Sequence, residues 1–343
     1  MGKIRTFVQA AQNTAFDFWE GLQTTFSGIK TSIWIPKTTD TNANAAIKPK
    51  GNGANVAQDP DGTTTGGNAR GAYATDWQKI RSNAADVASG TGSVISGGED
   101  NEATSQWSTV GGGRGNRAID IRSTISGGIN NTAGGGRSTV GGGDGCQAGG
   151  SYSTVGGGRN NNASNTFSTV SGGAINTASA HGSTVCGGLR GVANKYGQFT
   201  HASGRFVSDG DAQYCRYIVR TATTDATANV ELFLDGTGGS NRITIPEDTA
   251  YQFHIYITSI ENTGNNTKSS EITGLIRRQN GGNATIVGQH TDGNKTFNDG
   301  GFTPSYTVSA DTTNQALKID VTGLAATNIH TVARVDITEV KYA

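Results

Sequence analysis

Ser138-Thr139-Val140-Gly141-Gly142-Gly143 recurs fifteen residues later as Ser153-Thr154-Val155-Gly156-Gly157-Gly158, and that register decides the fold. Carried in both directions, the period gives seven copies without an insertion. One column reads Ile95, Val110, Ile125, Val140, Val155, Val170, Val185, every member a β-branched aliphatic. Two residues earlier stand Ser93, Ser108, Ser123, Ser138, Ser153, Ser168 and Ser183. Eight residues later stand Ala103, Ala118, Ala133, Ala148, Ala163, Ala178 and Ala193. A Gly-Gly pair keeps phase from Gly97-Gly98 to Gly187-Gly188. Internal repetition at a fixed period is the mark of a stacked architecture.

The period fits one coil of a solenoid. In Ser-Thr-Val, alternation puts Ser and Val on one face and Thr on the other. The Gly pair supplies a turn. Asn101, Asn116, Asn131, Asn161 and Asn176 suit a second turn, through αL backbone or local side-chain bonds. The Ala column then marks a second short strand with room only for a methyl. Of 52 glycines, 28 fall within residues 92–197, as two bends per coil require. Stacked about 4.8 Å apart, seven coils make a rod of roughly 34 Å. A coil's burial is small, about 1.5–3 kcal/mol for its Val and about 0.8 for an Ala methyl. Ordering fifteen residues costs roughly 15 kcal/mol or more. The deficit predicts a homotrimer in which three parallel solenoids share an axial core.

Composition sets the outer limits. The apolar fraction is 33%, the charged fraction 16%, and 27 basic residues balance 27 acidic ones. A disordered chain or a general nucleic-acid binder would carry a charge surplus. Cys146, Cys186 and Cys215 lack metal-like or disulfide-like spacing and read as free thiols of a reducing cytosol. No run of about 18 apolar residues exists, so no membrane insertion is expected. Met1–Thr6 fits a myristoylation pattern over six residues only, and a plain N-terminal helix is the preferred reading.

The unit Tyr152-Ser-Thr-Val-Gly-Gly-Gly-Arg-Asn-Asn-Asn-Ala163 resembles the head repeats of trimeric autotransporter adhesins, which form trimeric parallel β-rolls. The same repeat occurs in phage tail-fibre proteins. Two flanking regions resemble those proteins as well: Ala46–Gly51, Pro60–Gly62 and Gly66–Gln78 before the roll, and Gln213-Tyr214, Glu231–Gly236 and Ile243–Pro246 after it. The resemblance implies a phage virion component, trimeric and assembled in the host cytoplasm, that adsorbs to a host glycan or protein. A secreted adhesin would carry a leader and a membrane anchor, and neither is legible. A fibre or decoration of the head, neck or collar, serving assembly or weak surface adhesion, is the main alternative, and a self-cleaving or polysaccharide-degrading appendage a distant third.

The expected fold is mainly β, with four regions. Residues 1–45 are a virion-attachment region, with helical apolar spacing from Ile4 to Ile29 and Phe7, Phe16, Phe18, Trp19 and Phe26 as its anchors. Residues 46–91 are a Gly-rich segment, and 92–205 the β-roll shaft. Residues 206–343 alternate over nine short segments, as in Phe253/Ile255/Ile257 and Ala333/Val335/Ile337, and predict an antiparallel sandwich.

No enzyme is expected, and no cofactor or metal. A glycosidase needs two carboxylates about 5–9.5 Å apart. Glu99 and Asp144 share a phase but lie three coils apart, about 14 Å. Glu99, Asp100 and Glu102 read as a solvated turn, and Asp120 stands alone. His181 and His201 near Ser183 and Ser203 could suggest a nucleophile and base, but Ser183 belongs to the structural column, and a turn at the end of the roll accounts for His201 and Ser203 as well as self-cleavage does. Trp107, Tyr152 and Phe167 share a phase with Arg122 and Arg137. A sugar-binding stripe is one account of that column; an ordinary exposed edge is the preferred one.

Overall fold

The computed structural model describes residues 32–34, 46–48, 55–262, 266–292, 296–299 and 301–342. The attachment helix predicted within residues 1–45, with Phe7, Phe16, Phe18, Trp19 and Phe26, lies outside them.

Residues 55–203 form a parallel β-solenoid. One ladder of two-residue strands joins Thr109–Val110, Thr124–Ile125, Thr139–Val140, Thr154–Val155 and Thr169–Val170 in register. A second joins the Ala column from Glu102–Ala103 to Val192–Ala193. A third, one residue wide, runs Glu99, Arg114, Ile129, Asp144, Arg159, Ala174, Leu189. The first ladder has ten rungs between Asn55–Val56 and Phe199–Ser203, so the chain makes about nine turns.

Four residues per coil fill the interior. The Val/Ile, Ala, Ser and Asn columns all have zero exposure in a single chain. The deficit left by Val and Ala burial is reduced within the chain by a term the apolar count leaves out. As donors, the residues from Ser138 to Tyr152 make eight backbone bonds to neighbouring coils, such as Thr139 N–H to Ser153 O (2.9 Å) and Gln147 N–H to Asn161 O (2.8 Å). At about 1 kcal/mol net each, these bonds supply a large part of what apolar burial lacks. Closing the core does not require a second chain.

The Asn column plays a part the turn reading missed. Each Asn Nδ2 donates to the Gly carbonyl four residues back and to one in the next coil; for Asn116 these are Gly112 and Gly128, both at 2.9 Å. Its Oδ1 accepts the backbone N–H of Asn131 at 3.0 Å. The αL position belongs to the preceding residue, as at Asn130 (φ 53°) and Asn160 (φ 53°). Asn is therefore a rung between coils rather than only a turn former.

The ladder also takes in residues 55–91, which carry no 15-residue period. There Thr75–Asp76 pairs with Val94–Ile95, so Asp76 occupies the aliphatic column. It is buried with Arg70 and Arg81, whose Nε and Nη2 reach Asp76 Oδ2 at 2.8 and 3.2 Å.

At its other end the first ladder continues without a break. Phe199–Ser203 is parallel to the roll on one side and antiparallel to β1 (Ala212–Thr223) on the other. Beyond β1 follow β10 (Ile329–Lys341), β4 (Thr249–Glu261), β5 (Thr267–Arg278) and β6 (Thr285–Thr291). A smaller antiparallel sheet holds β2 (Val230–Glu231), β3 (Ile243–Thr244), β8 (Ser305–Asp311) and β9 (Ala316–Thr322); β7 (Phe297–Asn298) pairs with β5. The alternating residues meet in one buried cluster: Tyr217, Phe253, Ile255, Ile257, Val335 and Ile337 from the large sheet, Ile243, Val308, Leu317, Ile319 and Val321 from the small one.

Candidate functional site

The residue before each Ser of the repeat sits in αL. It is Gly at 92 and 182, but Trp107, Arg122, Arg137, Tyr152 and Phe167 hold φ between 56° and 61°. A left-handed conformation costs a non-Gly residue roughly 1–2 kcal/mol, so large side chains here need compensation. They find it in each other. Tyr152 and Phe167 stack at 5.2 Å, Phe167 meets the His181 edge at 5.5 Å, and His181 stacks on Tyr196 at 5.0 Å. Arg122 covers Trp107 at 4.5 Å and Arg137 covers Tyr152 at 5.2 Å. The two arginines, neighbours in phase, thus each take a different ring. His181 and Tyr196 join one residue out of phase because Gly182 and Gly197 hold the αL positions. Apart from the edge-on Phe167–His181 contact, these pairs place a ring face against the side chain of the next coil. As a sugar platform the stripe offers edges rather than open faces.

Several of the acidic candidates are tied to neighbouring groups. Glu102 pairs with Arg117 one coil away at 2.7 Å. Asp100 accepts from the Ser82 hydroxyl at 3.0 Å, and Asp120 Oδ1 accepts the Ile121 N–H at 2.6 Å. Glu99 and Asp144 stand three rungs apart in the single-residue ladder. Ser183 is buried, its hydroxyl donating to Ala180 O at 2.8 Å. His181 is engaged in the ring stack, and His201 Nδ1 lies 3.7 Å from the exposed Cys186 Sγ. Ser183 therefore has no histidine partner. Among the described residues no three His, Cys, Asp or Glu side chains converge on a metal-sized site.

Where the shaft meets the C-terminal domain, a groove of about 670 Å³ opens. Its shaft wall comes from the last coils: Asn165, Ser179, His181, Asn194, Lys195 and Tyr196. Its domain wall comes from the turn before β3, with Ser240, Asn241 and Arg242, and from Asn314 in the β8–β9 hairpin. The domain wall is fixed by carboxylates behind it. Asp235 accepts the Ser240 and Asn241 backbone N–H groups and the Asn241 Nδ2 (2.7 Å). Asp311 accepts the Asn314 backbone N–H and Nδ2 at 2.9 and 2.7 Å. Arg242 is held by Glu231 through two bonds, at 2.8 and 3.0 Å, and covers the Phe233 ring at 4.7 Å. Apart from His181, no groove residue stood out in the sequence. The available signal was bulk: Asn194-Lys195-Tyr196 replaces a turn that reads Gly149-Gly150-Ser151 three coils earlier.

Beneath the groove a buried polar knot ties shaft to domain. Glu339 accepts from Gln213 Nε2 at 2.8 Å and from the Tyr251 hydroxyl at 3.4 Å. Gln198 Nε2 reaches Cys215 Sγ at 3.2 Å, and Gln213 Nε2 also donates to Val192 O at 3.1 Å. Burial, with the nearby Glu339 carboxylate, pushes the Cys215 thiol up to about 11 and holds Tyr251 well above the ordinary phenol range. Burial lowers the Lys195 ammonium, against the attraction of Glu339.

The outer face of the large sheet carries a second polar group. Arg216 Nε and the Tyr214 hydroxyl both donate to Asp336 Oδ1, at 2.7 and 2.8 Å. Arg334 lies over the Tyr256 ring at 3.9 Å, the Tyr256 hydroxyl is 3.0 Å from His254 Nδ1, and His254 Nε2 is 3.1 Å from Glu271. Burial works against the Asp336 charge, but the Arg216 and Tyr214 bonds hold its carboxyl below the usual range. The cations here are matched by carboxylates in the same network.

The geometry defines a class: a parallel β-solenoid of about nine turns whose main sheet runs on into an antiparallel β domain. No protein-family model matches the chain, and no curated protein does. Among solved structures, the tailspike protein of Acinetobacter phage vB_ApiP_P1 is similar over 77% of this chain and 58% of its own, at 9% identity and a TM-score of 0.21. The chain thus spans less than two thirds of that spike's length, and a likeness at this TM-score assigns it no function.

Proposed function

We propose that the chain is a fibre-type structural protein of a phage virion, a homotrimer that attaches through its N-terminal region and adsorbs to the host surface with its C-terminal β-sandwich domain. The observation that carries this reading is the unbroken sheet from shaft to terminal domain. A hydrogen-bonded junction holds that domain in fixed orientation at the end of a rod, which suits an appendage presenting a binding surface. The 15-residue repeat and its flanks, which resemble phage tail-fibre proteins, support the virion assignment and the trimer. We place the chain among non-enzymatic parts, because several of its shaft carboxylates are tied to neighbouring groups.

Two measurements test the proposal. Light scattering on the purified chain should give a particle near three times 35.3 kDa, and a monomer would remove the trimer. Labelled protein should bind intact host bacteria saturably and compete with virions for them. Failure to compete would leave a structural appendage without an adsorption role.

A further inference from the structure

We propose that the groove at the shaft–domain joint is a binding site for a neutral, hydroxyl-rich oligosaccharide; this deepens the adsorption reading and rests on it. The groove's volume, about 670 Å³, lies within the range of small-molecule sites. Its lining is polar, but its charges are already matched. Arg242 is engaged by Glu231 at 2.8 and 3.0 Å and lies 3.6 Å from Asp311. Lys195 donates to Asn194 Oδ1 at 3.2 Å and is nearly buried in the field of Glu339. Arg242 is thus already neutralised and Lys195 is largely withdrawn from solvent, so among the described residues an acidic ligand would find little accessible cationic surface.

The groove offers instead amides fixed at one end. Asn241 and Asn314 each commit Nδ2 to a carboxylate, at 2.7 Å, which leaves each Oδ1 as an acceptor without a donor among the described residues. Asn194 commits Oδ1 to Lys195, which leaves its Nδ2 as a donor without an acceptor among the described residues. The hydroxyls of Ser179 and Ser240 make no hydrogen bond to the described residues and can either donate or accept. Neighbouring hydroxyls on a sugar ring present donors and acceptors side by side, and oriented amides with hydroxyls match that pattern. The stacked His181–Tyr196 pair adds an apolar edge against which C–H groups can pack. Because each amide is anchored before a ligand arrives, little ordering cost remains to be met on binding.

The test uses the full chain on an array of neutral hexose and N-acetylhexosamine oligosaccharides, two to six residues long, beside uronate-containing ones. Binding to neutral members is expected. Ser240→Trp, an exposed substitution that fills the groove, should weaken it at least tenfold with an unchanged melting temperature. Asn194→Ala should weaken it several-fold. Absence of binding to every neutral member, preference for the uronates, or binding that survives Ser240→Trp would each overturn the inference. Intact bacteria separate the two levels. If wild type and Ser240→Trp bind cells equally, the groove assignment fails while adsorption stands. If neutral glycans bind on the array but cells are ignored, adsorption fails while the groove stands.

Discussion

Replacing Cys146 by Asn should stabilise the shaft, because Cys146 interrupts the Asn ladder. In the rungs at 101, 116, 131, 161 and 176, Asn Oδ1 accepts the backbone N–H of the coil above, at 2.8–3.0 Å. At Cys146 the corresponding N–H, that of Asn161, meets only the thiol sulfur, a weak acceptor. The sulfur itself lies 3.5 Å from Gly158 O, where an Asn would place Nδ2 near 3.0 Å as its neighbours do. The substitution adds up to three amide hydrogen bonds, each about 0.5–1.5 kcal/mol net. Against them stand the lost burial of the thiol and the ordering of a longer side chain, about 1 kcal/mol. The net gain is about 1–3 kcal/mol. Asn116→Cys, the mirror change, should cost a similar amount. Denaturant unfolding followed by far-UV circular dichroism measures both, and exchange at the Asn161 amide reports the rung directly. A Cys146→Asn variant that unfolds earlier than wild type, with Asn161 exchanging no more slowly, would refute the ladder as a source of stability.

Asp76→Ala should cost about 3–5 kcal/mol locally, since it strands the buried Arg70 and Arg81 cations; hydrogen exchange should rise over residues 55–92 while β4 and β10 stay protected. Val140→Ala should cost about 2 kcal/mol and Ala133→Leu about 1–3 kcal/mol from overpacking, both read in denaturant unfolding. The C-terminal domain should weaken in alkali. The Cys215 thiol, raised from 9.0 to about 11 in the fold, contributes stability that is complete below pH 9 and lost as pH climbs to 11, about 3 kcal/mol. Tyr217 and Tyr251 act in the same direction above pH 10, whereas the lowered Lys195 acts in the opposite one. Cys215→Ala should flatten the decline in near-UV melting temperature between pH 8 and 10.5, and an unchanged slope would exclude the thiol as its source.

How much of this was legible in the sequence follows from where chemistry constrains residue type. The Val/Ile, Ala and Ser columns were readable because an interior of fixed width admits one size at each position. In the C-terminal domain, alternation and turn residues located every strand but the two-residue β7, to within a few residues at most ends, because most of these strands bury one face. Asn was seen as a turn former, since a single chain of letters gives no sign that its oxygen serves the coil above. The coils before residue 92 were missed for a physical reason. Spacings of 20 and 19 residues separate Val56, Asp76 and Ile95, and a carboxylate neutralised by two arginines stands in the aliphatic column. The groove was invisible because its walls lie far apart in sequence, from Asn165 to Asn314.

A solenoid has two ends, and each exposes unpaired backbone unless something covers it. In the first ladder, the C-terminal end is covered by reversal: Phe199–Ser203 closes the parallel stack and β1 continues it antiparallel. The connection between them is itself held, with Asp211 accepting the N–H groups of Phe206, Val207 and Ser208 at 2.9, 2.6 and 2.7 Å. Asp209 meets both Arg190 of the last coils and Arg205, at 2.9 and 2.8 Å. The second ladder ends at Val192–Ala193, where Gln213 of β1 supplies both the acceptor for the Val192 N–H (2.9 Å) and the donor for its carbonyl (3.1 Å). The terminal domain is thus the cap of the shaft's C-terminal end. Shaft end and domain base cannot move apart without breaking ladder bonds and the Glu339 knot together. The ladder and the knot thus fix the shaft end against the large sheet, on whose inner face the small sheet carrying the groove's domain wall is packed.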